Sequence, residues 1–304
     1  MTGPAFAPNP PADLVLPRPS STTARAVCSL ALRKLFDWVK STELPEANPG
    51  FGELRAIFGG FLPGRPKQVA ALLDEPTVSA PLRLLRSGAA LDSALLGQRA
   101  ADAARAILAR GTGAARAPTV STETGALFVE WNTPSEIDLQ AFAVDVRAAR
   151  ALLFGALPSV AAAHERVARL VVPTEDAAGG VRIESQAPAV FGIGFECSVV
   201  DRARALARGT THALLVTLRE LDAIGDELAF ERLLGAAMAA VDDRLVAALH
   251  ESRRAELDLP AAREAFLAAF RELMPFERAL TSVGRGVFDE LAHHAGYAPT
   301  AGGD

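Results

Sequence analysis

Lysine is nearly absent from this 304-residue chain: it stands at 34, 40 and 67, and arginine supplies the rest of the 31 basic groups. Against 36 acidic residues these give a net charge of −5. Residues 1–150 hold 16 basic and 14 acidic groups and the remainder 15 and 22, so neither half is the clustered basic face that nucleic acid requires. Cysteine is scarce too. Cys28 and Cys197 can form at most one disulfide and cannot build a Cys-rich zinc site. The N-terminus lacks the charged-then-apolar order of a signal peptide. No apolar run reaches the ~20 residues of a membrane helix, and Pro158 interrupts the nearest one, Ala151–Ala163. These absences predict a cytoplasmic protein with neither membrane nor nucleic acid as partner. Half the residues are hydrophobic, enough for a sizeable core.

Histidine occurs at 164, 212, 250, 293 and 294 only. His164-Glu165 and His250-Glu251 start like the zinc motif HExxH, but Ala168 and Arg254 stand where the second histidine belongs. Both histidines are expected on exposed helix faces. Glu290 and His293 have the Glu-x-x-His spacing of di-iron bundles, but the second such pair is missing. His293 and His294 suit the negative end of a helix that stops at Gly296. Gly192-Ile193-Gly194-Phe195-Glu196-Cys197 opens like a dinucleotide fingerprint, yet has Cys at the third glycine and is expected to lead into another strand. Gly59–Pro66 lacks the Lys and hydroxyl of a phosphate-binding loop, so it reads as a plain loop. No Gly-x-Ser-x-Gly elbow occurs, and nothing local places Cys197 beside His212. The motifs imply no cofactor, no metal and no catalytic residue.

The organisation predicted is a proline-rich tail (1–20), a helical region (21–117) and an α+β region (118–304), with a Gly/Ala/Pro linker at 111–118. Val27, Ala31, Leu35 and Trp38 repeat at helical spacing, and Pro45, Pro49, Gly50 and Gly52 open a loop after them. Pro66 is expected in the first turn of a helix through Leu73, Thr77 to cap a helix ending at Gly88, and 89–110 to be a long Ala-rich helix. Strands are expected at 126–131, 170–173, 181–185, 190–196 and 213–218, and helices at 136–154 (Ser135 as its cap), 159–169 and from 219 onward. The fold class is therefore α+β, helix-dominated, with a small, mostly antiparallel sheet.

Val69–Arg86 followed by an Ala-rich helix resembles the N-terminal helical part of the HExxH-containing peptide-modification proteins of ribosomally made peptide natural products. The likeness covers about residues 25–130. Since the metal motif is missing, it implies a motif-less or truncated relative, a pseudoenzyme that binds a precursor peptide of its pathway without modifying it. The aromatics Phe128, Trp131, Phe191 and Phe195, expected near the sheet, are the candidates for that groove, since strand addition with side-chain pockets is a common way to bind peptides. The order strand, Gly-rich hairpin, strand at 213–218 and long helix is also similar to tailed-phage capsid and encapsulin shell proteins. That likeness implies a shell or scaffold. A hydrolase or oxygenase whose site assembles only in three dimensions is the third reading.

Overall fold

The computed structural model describes residues 21–42, 48–60, 71–88, 92–110, 118–122, 127, 131–175, 180–252 and 257–297. The 1–20 tail, most of the Gly59–Pro66 loop, the expected start of the helix at Pro66 and nearly all of the 111–118 linker lie outside these residues. Helix dominates, with a small sheet, so the helix-rich α+β class is what the chain adopts.

Helix α1 (Ser21–Ser41) buries Ala24, Val27, Ala31, Leu35 and Val39 along one stripe. Its two ends serve different cores. Ala24 and Val27 join the large cluster of the C-terminal two thirds, whereas Leu35 and Val39 join a smaller one with Phe51, Leu54, Phe58, Leu72, Val78 and Leu82. The smaller cluster is closed by α2 (Pro49–Gly60), α3 (Pro76–Ser87) and α4 (Ser93–Arg110). The loop expected at Pro49–Gly52 is the start of α2. The Asn48 carboxamide oxygen accepts from Phe51 N–H at 3.1 Å and its NH2 donates to Ser93 O at 2.5 Å. Pro49 then fits a first turn, where a missing N–H costs nothing. Helix α3 begins one residue before Thr77, after Glu75, and stops as expected at Gly88, whose φ of +69° suits glycine.

Strands β1 (Thr119–Val120), β2 (Leu170–Thr174), β3 (Val181–Arg182) and β4 (Val190–Gly194) form one sheet in the order β1-β2-β4-β3. Both β1–β2 and β2–β4 are parallel, and only β3–β4 is antiparallel, so the sheet is mixed rather than mostly antiparallel. Of the strand expected at 126–131 only Leu127 and Trp131 are described, and neither lies in a strand; 126 and 128–130 are outside the described residues. Side chains alternate across the sheet. Val171, Phe191 and Ile193 face the helices, whereas Val172 and Val190 face Ala80, Leu127, Trp131 and Ala187.

Helices α5 (Leu139–Ala156), α6 (Pro158–Val167) and α7 (Val199–Leu221) pack together, with α6 and α7 also against α1 and α7 against β3 and β4. Asp138, not Ser135, caps α5, accepting from Gln140 and Ala141 N–H at 2.9 Å each. The strand expected at 213–218 is the last part of α7. A short apolar run reads alike as buried strand or buried helix. Here Thr210 and Thr217 return their hydroxyls to carbonyls four residues back, at 2.7 and 2.6 Å, which satisfies them inside a buried helix. Gly209 lets α7 lie close on the sheet: a Cβ there would fall 2.9 Å from the Phe191 ring and from Val181. Helix α8 (Glu227–Glu251), α9 (Leu259–Leu273), a 3-10 turn (Met274–Ala279) and α10 (Ser282–Ala295) complete the helical end that the sequence predicts, with Gly296 as its stop.

Candidate functional site

Where the two core clusters meet, polar side chains converge on a small cleft. It is lined by Cys28 and Leu32 of α1, Leu73 and Asp74 before α3, Ser79 and Arg83 of α3, Val167 of α6, Pro188 and Ala189, and Thr217 of α7. Its free volume is about 30 Å³. A water needs ~10–15 Å³ on the same scale, so the cleft takes about two waters, not a substrate.

The charges around it are already engaged with one another. Arg83 Nε lies 2.9 Å from Glu220 Oε1, and Arg86 Nη2 lies 3.0 Å from Glu220 Oε2. Arg169 donates to Asp74 Oδ2 from Nε at 2.8 Å and from Nη2 at 2.6 Å. Lys34 Nζ donates to the carbonyls of Glu220 at 2.6 Å and Leu221 at 3.2 Å, a cation at the negative end of α7. Burial, reinforced by Asp74, pushes the Cys28 thiol up to about 11 despite Arg169 and Arg83 nearby. At neutral pH it is a thiol rather than a nucleophilic thiolate. Cys197 is also free and also pushed up by burial, and its Sγ donates to Gly194 O at 2.9 Å. His212 lies along α7, about 20 Å from Cys197 at ~1.5 Å per residue, so the two do not meet.

His164 is the outlier among polar groups. Its sequence context predicts an exposed face, yet it is 1% exposed, because it shares the buried stripe of Val160 and Val167. Its Nδ1 lies 3.2 Å from Thr210 Oγ1, and that hydroxyl's one hydrogen goes to Leu206 O. Nδ1 must therefore carry the proton and donate, leaving Nε2 a bare acceptor, and Nε2 has no hydrogen-bond partner. The Phe191 ring packs edge-on at 5.3 Å. Burial, with a smaller push from Arg150, lowers its pKa to about 3. His250 is exposed at the end of α8, as expected.

Asp242 and Asp243 stand side by side on α8 and turn to opposite neighbours. Asp242 accepts from Arg204 at 2.8 Å and Arg208 at 2.6 Å. Burial pushes its carboxyl up, but the two guanidiniums outweigh that and hold it below the ordinary range. Asp243 lies 3.0 Å from both Arg263 Nη1 and His294 Nε2, tying α8 to α9 and α10. His294 is therefore a tether between helices, while His293 is exposed near the helix end. Among the described residues, no three His, Cys, Asp or Glu side chains are grouped to hold a metal ion.

Of the four aromatics singled out from sequence, the three that are described do not converge. Phe191 is fully buried on the helix-facing side of the sheet, and Trp131, 6% exposed, is on the other, its Nε1 3.5 Å from Glu184. Phe195 is half-buried beyond the end of β4, and Phe128 lies outside the described residues. After β4 the chain passes directly into α7, not into another strand. Ser198 caps that helix at Asp201 N–H, and Arg202 donates to the Phe195 carbonyl. Among the described residues, β1 lies at an edge of the sheet. Thr119 and Ser121 N–H both donate toward β2, to Arg169 O and Val171 O at 3.1 Å each. Alternation then turns the N–H and C=O of Val120 away from β2, where no described strand pairs with β1. No described helix is long and apolar enough to cross a membrane. In comparison with known proteins, the chain matches no family model and no curated protein.

Proposed function

We propose that this chain is a non-catalytic binding protein that takes an extended peptide as an added strand on β1, in a bacterial modified-peptide pathway of the kind its helical region resembles. The observation that carries the reading is the outward N–H and C=O of Val120 on an edge strand. Against catalysis stands the chemistry of the described polar groups: the cleft's acids are paired with arginines, both thiols are held protonated, and His164 is sealed from solvent. The shell reading loses the strand on which its likeness drew, since 213–218 is helix.

Calorimetry against peptides encoded beside the gene, with mass spectrometry after long incubation, tests this. Binding with a Kd near the micromolar range, about −8 kcal/mol, and no change in peptide mass is expected. Val120→Pro removes the outward N–H without touching the β1–β2 ladder and should weaken binding about tenfold, one hydrogen bond's worth. A mass change produced by the purified protein alone would make it an enzyme. Equal binding by the proline variant would remove β1 as the docking strand.

A further inference from the structure

Helix α5 is apolar on both faces. Its inner face buries Phe142, Val146, Ala149 and Leu153. Its outer face carries Val144 and Phe154, at 50% and 64% the two most exposed large hydrophobics among the described residues. Ala148, Ala151 and Gly155 on the same side are also exposed, with Arg147 on the Phe154 flank. The solvent-facing stripe of a surface helix is ordinarily polar.

We propose that this face is an interface between two copies of this chain, with the α5 helices packed antiparallel about a two-fold axis near Ala149. The pattern is self-complementary in that arrangement and names its own partner. Val144, Ala148, Ala151 and Gly155 follow the alternating three- and four-residue spacing of a helix–helix seam. In the antiparallel register Val144 falls opposite the other copy's Gly155 and Ala148 opposite the other copy's Ala151, so the one large side chain meets the one position without any. Arg147 and Phe154 are a full heptad apart on one flank, so each guanidinium meets the other copy's exposed ring, twice by symmetry. The small central residues permit axes about 8 Å apart. One helix from each copy buries less than the ~1,200–2,000 Å² of a standard stable interface, so the dimer is weak and concentration-dependent.

Sedimentation velocity on the full chain, from low to several hundred micromolar, tests the assignment. A reversible monomer–dimer equilibrium is expected. Ala148→Glu and Ala151→Arg, at exposed positions, should each weaken dimerisation by about tenfold or more, since each buries one unpaired charge from either copy, two per dimer. The double variant places each new Glu opposite the other copy's new Arg and should recover most of the loss. Far-ultraviolet circular dichroism of all three should match the parent. A parent that stays monomeric throughout, singles that dimerise as well as the parent, or a folded double variant no better than the singles would each overturn the proposal.

Discussion

At the scale of single residues, His164 ties the chemistry of the core to pH. Its folded pKa of about 3 lies below the ordinary 6.5, so the unfolded chain takes up a proton that the folded chain refuses. Its stabilising contribution is complete above pH 6.5 and is lost progressively as pH falls toward 3. At ~1.4 kcal/mol per unit the full linkage reaches about 5 kcal/mol, comparable with the ~5–15 kcal/mol that holds a typical domain folded. Urea unfolding across this range should show stability falling steeply with acid. His164→Asn keeps a donor for Thr210, should cost about 1–3 kcal/mol at neutral pH, and should flatten the acid limb. An unchanged acid limb would mean that carboxylates set it instead. The thiols give a second residue-scale expectation: iodoacetamide at pH 7.5 should label Cys28 and Cys197 far more slowly in the native chain than in urea, with comparable native and denatured rates as the contrary result. The burial of His164 was not legible, because the pair His164-Glu165 reads as a polar helix face and its contact partners, Thr210 and Phe191, reach it from other elements.

At the scale of elements, the contact between α7 and the sheet depends on Gly209. Gly209→Ala must push its Cβ into Phe191 and Val181, and should destabilise by about 1–3 kcal/mol. Gly235 is also mid-helix, on α8, but a Cβ there would have nothing within 4 Å. Gly235→Ala should therefore stabilise by about 0.5–1 kcal/mol. Thermal melts of the pair check both signs, and two shifts in the same direction would contradict this packing. Helices were the legible elements: stripes such as Val27–Ala31–Leu35 and stops at Gly88 and Gly296 read directly from sequence. The errors fell where local pattern is ambiguous. A buried six-residue run at 213–218 has no polar face to reveal its period, and Asn48-Pro49 is a helix start as readily as a loop. Strand direction was not legible, since the order of β2, β4 and β3 is settled by long-range pairing alone.

At the scale of the whole molecule, α1 and the charged groups around the cleft fasten the smaller helical cluster to the larger one. Glu220 holds both Arg83 and Arg86, with side chains 13% and 8% exposed at the Glu220–Arg83 contact. Glu220→Gln leaves two guanidiniums short of their countercharge and should cost about 2–4 kcal/mol, below the ~3–5 of a fully buried pair because Arg86 is partly hydrated. Denaturant melts followed at Trp38, in the smaller cluster, and at Trp131, in the larger fold, should report that loss together. Loss at Trp38 alone would mean that the clusters unfold separately. None of these cross-cluster pairs could be read from spacing, because Arg83 and Glu220 are far apart in the chain. The place of β1 at an edge of the described strands was equally hidden, as a two-residue strand carries no period. Peptide docking by strand addition depends on that edge, and hydrogen–deuterium exchange at the Val120 amide reads it out. With no described partner in the free protein, this amide should exchange quickly, and saturating precursor peptide should slow it by about tenfold or more while the β2 and β4 amides change little. Peptide that binds and leaves Val120 exchange unaltered, protecting amides elsewhere, would rule out β1 as the docking strand.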